Sequence, residues 1–186
     1  MRALILFLLL SFSAFPAVAQ DRDDASLCSP KILPENIQAR LKSEFAGWRI
    51  LEPGDLSAHA RERWAAIKPI QCPGIAIGQF ESDETAYAVY LVPASQADAR
   101  YRLVAFAPNS DRSFHETIVE RWDGGGATHF FIAKIKVDDF LNQTWRQKLH
   151  VVVKEGFIMI DAAWTEYEAD VYYWSRGHYL HQPVDY

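Results

Sequence analysis

The chain has 186 residues, 49% of them apolar, with 19 basic against 24 acidic side chains and a formal charge of −5. A domain of this size buries a core without needing a metal to stand. An acidic surface repels phosphate, which sets aside nucleic acid and anionic lipid as partners and leaves a basic ligand or a basic protein as the better match.

From the start, Met1 and Arg2 give a short positive end, Leu4 to Phe12 an apolar run, and Pro16 a helix break. Ala17-Val18-Ala19 is a small-x-small cleavage motif before Gln20. That order predicts a secretory signal peptide over 1–19, with an apolar run too short to span a bilayer. Cleavage near Ala19 leaves a single secreted or periplasmic domain, 20–186, which has lost one basic residue and carries a net charge of −6. No later segment has the roughly 20 apolar residues of a membrane helix. Cys28 and Cys72 are the only cysteines. Outside the cytoplasm two lone cysteines pair, and closing this loop is worth about 4 kcal/mol in the chain-entropy model. The charged and bulky Asp23-Asp24-Ala25-Ser26-Leu27 before Cys28 does not fit a lipoprotein signal.

Pro34 suits the first turn of a helix, where a missing N–H costs nothing. Ile37, Leu41, Phe45 and Trp48 follow at helical spacing up to Gly47, a terminator. Ser57 is a fair N-cap for a second helix with Ala60, Trp64 and Ile67 inside and Pro69 as its stop. Strands are predicted over 75–80, 85–92, 100–107, 113–122 and 128–137. The run 85–92 is apolar on both faces, as in a central strand. Residues 138–145 read as a short helical link. Strands 149–153 and 157–162 flank Lys154-Glu155-Gly156, and strands 169–174 and 178–181 flank Ser175-Arg176-Gly177, each triplet read as a hairpin turn. The expected fold is α+β: two N-terminal helices followed by a mostly antiparallel sheet of about eight strands.

No catalytic residue is assigned, because no nucleophile elbow or similar motif is present. Glu116 and Glu120, at i, i+4 on a strand, share a face in principle and could do acid–base work, as could Glu166 and Glu168. No metal or cofactor is expected. His178 and His181 lie three apart on a strand and point to opposite faces, while His59, His115, His129 and His150 are scattered. Asp123-Gly124-Gly125-Gly126 is followed by Thr128-His129-Phe130-Phe131, which reads as strand, so the glycines make a turn and not a phosphate cradle. Asn142-Gln143-Thr144 is a sequon, meaningful only in a eukaryotic secretory pathway. Tyr172, Trp174 and Tyr179 form a candidate binding surface. Alternation puts Tyr172 and Trp174 on one face and Tyr173 on the other, and these aromatics either pack on the helices or anchor a partner.

Cys72-Pro73-Gly74-Ile75-Ala76-Ile77-Gly78-Gln79-Phe80, followed by Tyr87-Ala88-Val89-Tyr90-Leu91, resembles a blade of the FG-GAP/VCBS-like repeat proteins. The closing Val171-Tyr172-Tyr173-Trp174 with Gly177-His178-Tyr179 is similar to the end of small secreted bacterial proteins that carry such a blade. The resemblance implies extracellular binding or structure without chemistry. Family loops after the Phe are rich in Asp and Gly and often hold calcium. Here Glu81-Ser82-Asp83-Glu84-Thr85 has no glycine and too few spaced carboxylates for six to eight oxygens. The sequence therefore leads to a secreted or periplasmic binding domain for a protein partner. That partner would be a basic envelope protein or a cell-wall hydrolase, bound by an inhibitor or immunity-type protein. The alternative is an enzyme acting on cell-wall or polysaccharide material through paired carboxylates.

Overall fold

Residues 27–67, 71–141, 143–163 and 168–185 are described by a computed structural model. The predicted signal peptide, Pro69, Asn142 and Glu166 lie outside them. Helix α1 (Glu35–Glu44) follows Pro34 and ends before Gly47, which has φ +85°. Helix α2 (Ala58–Ala66) starts at Ser57, whose hydroxyl accepts the Ala60 N–H at 3.3 Å. Nine strands follow the chain among the described residues: β1 Trp48–Ile50, β2 Ile75–Gly78, β3 Ala86–Pro93, β4 Tyr101–Pro108, β5 Phe114–Trp122, β6 Phe130–Lys136, β7 Glu155–Asp161, β8 Glu168–Ser175 and β9 His178–Asp185. A third helix, α3 (Gln143–Leu149), stands between β6 and β7.

The strands form two antiparallel sheets instead of the single sheet expected. Sheet A has the order β1-β3-β4-β5, and β2 takes the stretch of the β3 edge next to β1, pairing Ile75–Gly78 with Ala86–Val89. Sheet B is a meander, β6-β7-β8-β9. β3 is the central strand its composition suggests. Ala88, Tyr90 and Val92 face sheet B, while Val89 and Leu91 face α1 and the disulfide. The Cys28–Cys72 disulfide is formed and joins the lead into α1 to the start of β2.

Three local expectations are corrected. Residues 149–153 are not a strand. Val151 and Val153 are buried around an 81% exposed Val152, which imitates strand alternation, but His150 at φ +56° turns the chain away from any ladder. Glu155 and Gly156 are not a turn, since they pair with Lys136 and Ile135. Gly156 is required because a Cβ there would lie 2.4 Å from the Tyr172 carbonyl oxygen. Thr128 and His129 form a 3-10 turn before β6 instead of its first residues. The Arg176–Gly177 hairpin is as expected. Its two residues have φ +52° and +83°, the backbone of the tight turn that matches strand twist.

Candidate functional site

The site begins with one extra residue. β4 and β5 pair Tyr101 with Trp122 and Leu103 with Glu120, but the next pair is Val104 with Ile118, so Val119 is a β-bulge. Alternation inverts across it. On its C-terminal side Glu120 joins Tyr101 and Leu103 on the face toward sheet B. On its N-terminal side Glu116, opposite Phe106, faces α1. Arg40 Nη1 of α1 meets Glu116 Oε2 at 3.4 Å. Burial, with Glu44 beside it, raises the Glu116 pKa against that arginine. Glu116 and Glu120, expected on one face, therefore sit on opposite faces and cannot flank one scissile bond.

Glu120 ties the sheets together. Its Oε1 accepts the Tyr101 hydroxyl at 2.7 Å, and its Oε2 accepts the Tyr172 hydroxyl from sheet B. Burial, then the hydrogen bond to Glu120, holds both phenols far above the ordinary tyrosine range, so they stay protonated and donate. The charge of Asp170 acts on both hydroxyls in the same direction, and that of Asp161 acts on Tyr101.

Sheet B adds further carboxylates at this end. Asp161 pairs with Glu168 in the ladder, and Glu168 pairs with Asp185. Asp170 is one step along on the face of Asp161 and Glu168, and its Oδ1 is 3.1 Å from His181 Nδ1. The His181 ring lies over Tyr172, with centroids 5.7 Å apart. The result is an acidic mouth between β5 and the β8–β9 pair, framed by tyrosines. Among the described residues no Lys or Arg forms an ion pair with Glu120, Asp161, Glu168 or Asp170.

A second polar chain lies toward the other end of β5. Glu81 follows β2, and its side chain is only 8% exposed. Its Oε2 is 3.0 Å from His115 Nε2, and His115 Nδ1 is 3.0 Å from Asn109 Oδ1. Asn109 Nδ2 donates to Ser113 Oγ, which donates to Asp111. Burial, then the nearby Glu81 carboxylate, raises the Tyr179 phenol, yet neither Glu81 Oε1 nor the Tyr179 hydroxyl has a well-formed hydrogen bond.

The aromatics singled out in the sequence are not an exposed patch. Tyr172 is 3% exposed, and Trp174 and Tyr179 are half-buried. Tyr172 and Tyr179 pack into the core between the sheets, while Trp174 packs against the cluster of Val137, Val151 and Tyr173. Tyr172 stacks on Phe157 at 5.2 Å, and Tyr179 meets both Phe157 and Trp174. Among the described residues the exposed aromatic is instead Trp122, 47% exposed at the end of β5, with its indole N–H donated to Gly125 O. Sequence reasoning missed Tyr101, weighed Glu81 only as a calcium-loop carboxylate, and treated His115 as isolated. Among the described residues no three His, Cys, Asp or Glu side chains converge as a metal site. Compared with protein-family models, curated proteins and solved structures, the chain matches none.

Proposed function

We propose that this is a secreted or periplasmic binding domain without chemistry of its own, and that it takes a basic protein at the acidic mouth between β5 and the β8–β9 pair. The observation behind this reading is the gathering of Glu120, Asp161, Glu168 and Asp170 around Tyr101 and Tyr172, with Asp161 and Glu168 directly opposite in the ladder. Like charges opposite one another destabilise a sheet. A cationic surface seated on them relieves that repulsion, speeds encounter and makes the association salt-dependent. The tyrosine frame supports the same reading, since it holds Glu120 in place before any partner arrives.

The predicted leader and the formed disulfide support an encounter outside the cytoplasm. Basic cell-wall hydrolases, lysozymes among them, are the first partners to test, with the domain acting as an inhibitor or immunity-type protein. The test measures binding and inhibition across a panel of such enzymes at low and high salt, for the native protein and for Glu168→Gln with Asp170→Asn. A native complex weakened about tenfold by the double variant, and by salt, is expected. Absence of any complex, or a complex indifferent to both changes, overturns the proposal.

A further inference from the structure

β9 is the outer strand of sheet B, and it brings one titratable side chain to the acidic mouth. His181 is opposite Tyr172 in the ladder, so its ring stands on the face that carries Asp170 and Glu168. The ring lies nearly parallel to that of Tyr172, with 20° between the planes, and its Nδ1 is 3.1 Å from Asp170 Oδ1. Its side chain is 61% exposed, so solvent protons and a docking partner both reach it.

These contacts give the ring two states with opposite meanings for a cation. The Asp170 carboxylate accepts, so the Nδ1 that faces it carries a proton. In neutral His181 the other nitrogen, Nε2, is then an acceptor, and among the described residues nothing donates to it. A lysine or arginine of a partner can donate there. Protonation turns Nε2 into a donor, pairs the imidazolium with Asp170 and sets its charge against the Tyr172 ring. The mouth thereby loses an acceptor and gains a positive charge of its own. The charged and titratable groups around the ring are Asp170 and Tyr172 of β8, Glu120 of β5 beyond the Tyr172 hydroxyl, and Glu81, which faces Tyr179 on β9 and is itself met by His115. Asp161 and Glu168 stand further along the same face.

We propose that His181 gates the acidic mouth by pH: neutral, it leaves the carboxylates open to a cationic partner, and protonated, it takes the partner's place on Asp170. The proposal rests on the reading of the mouth as a surface for basic proteins and concerns its regulation. An imidazole changes charge between about pH 8 and 5, where exposed carboxylates stay ionised and lysine and arginine stay charged. The sign follows from linkage. A bound cation opposes the proton, so binding releases it and affinity falls as pH falls.

The test measures the affinity of the purified protein for decalysine at low salt from about pH 5 to 8, a range in which that probe keeps its charge. The native protein is expected to bind about tenfold more weakly at about pH 5.5 than at about pH 7.5. His181→Gln, neutral throughout, keeps the tight affinity at both, and His181→Lys, charged throughout, shows the weak one at both. The other histidines titrate alike in all three proteins, so the differences between them isolate His181. Affinity level across pH in the native protein, an equal fall in His181→Gln, or a His181→Lys variant as tight as the native protein at about pH 7.5 overturns the gate and leaves the mouth standing. No binding of decalysine at any pH, by the native protein or either variant, overturns the mouth and the gate together.

Discussion

Tyr172→Phe removes one oxygen and leaves the rest of the ring in place. The stack on Phe157 at 5.2 Å and the contact with His181 survive, so apolar burial is nearly unchanged. The loss is the hydroxyl donated to Glu120 Oε2. A hydrogen bond to a charged acceptor contributes about 1.5–3 kcal/mol, and the half-exposed Glu120 can regain water, so the expected cost is about 1.5 kcal/mol. For a chain of this size that lowers the melting temperature by roughly 3–6 °C. Urea unfolding at neutral pH should show a lower midpoint with an unchanged slope. Glu120→Gln and the double variant complete a cycle, with a coupling of about 1 kcal/mol expected because the two groups touch. A loss below about 0.5 kcal/mol, within the range of ordinary surface changes, or strictly additive variants, would refute the claim that this contact ties the two sheets.

The Arg49–Asp55 pair gives a pH-dependent prediction. Burial works against the Asp55 carboxylate, but the hydrogen bonds from Arg49 and the Glu52 backbone outweigh it and lower its pKa. A carboxylate depressed in the folded state adds stability above its unfolded pKa near 4 and loses it as pH falls through the lower folded value. Asp55→Asn should therefore cost about 1 kcal/mol at pH 7, and the gap to the native protein should narrow as pH falls below the unfolded value and close once pH is below the depressed folded one. A gap constant across that range in pH-dependent melts would count against the pairing. Gly156→Ala places a methyl 2.4 Å from the Tyr172 carbonyl and should destabilise by about 2–3 kcal/mol; a neutral result in thermal melts would show that the β7–β8 spacing is looser than described.

Much of the fold was legible because it rests on local chemistry. Ser57 caps its helix, Gly47 ends the one before it, and the two-faced apolar run of β3 marks it as central. What failed involved contacts distant in sequence. Gly156 looked like a turn residue, but its reason is a backbone passing at Tyr172, which no local pattern reveals. Valines 151 and 153 alternate as strand residues do, yet no neighbouring strand is there to pair with them. β1, at three residues, is too short to carry a period. The site was less legible still. Tyr172 was noticed for its aromatic character, while its partner Glu120 was assigned to the wrong face because counting by two assumes an unbroken ladder.

The bulge at Val119 also changes how variation along β5 should be interpreted. Before it, even-numbered positions answer to α1 and odd ones to sheet B; after it, the assignment is exchanged. The strand thus has two phases joined at one residue, and substitution tolerance along it should change rhythm there. A related chain lacking that residue would present a different side chain to the two phenols without any change in composition. A single-residue gap at this point, which a comparison of sequences would treat as noise, decides which carboxylate is held between the sheets.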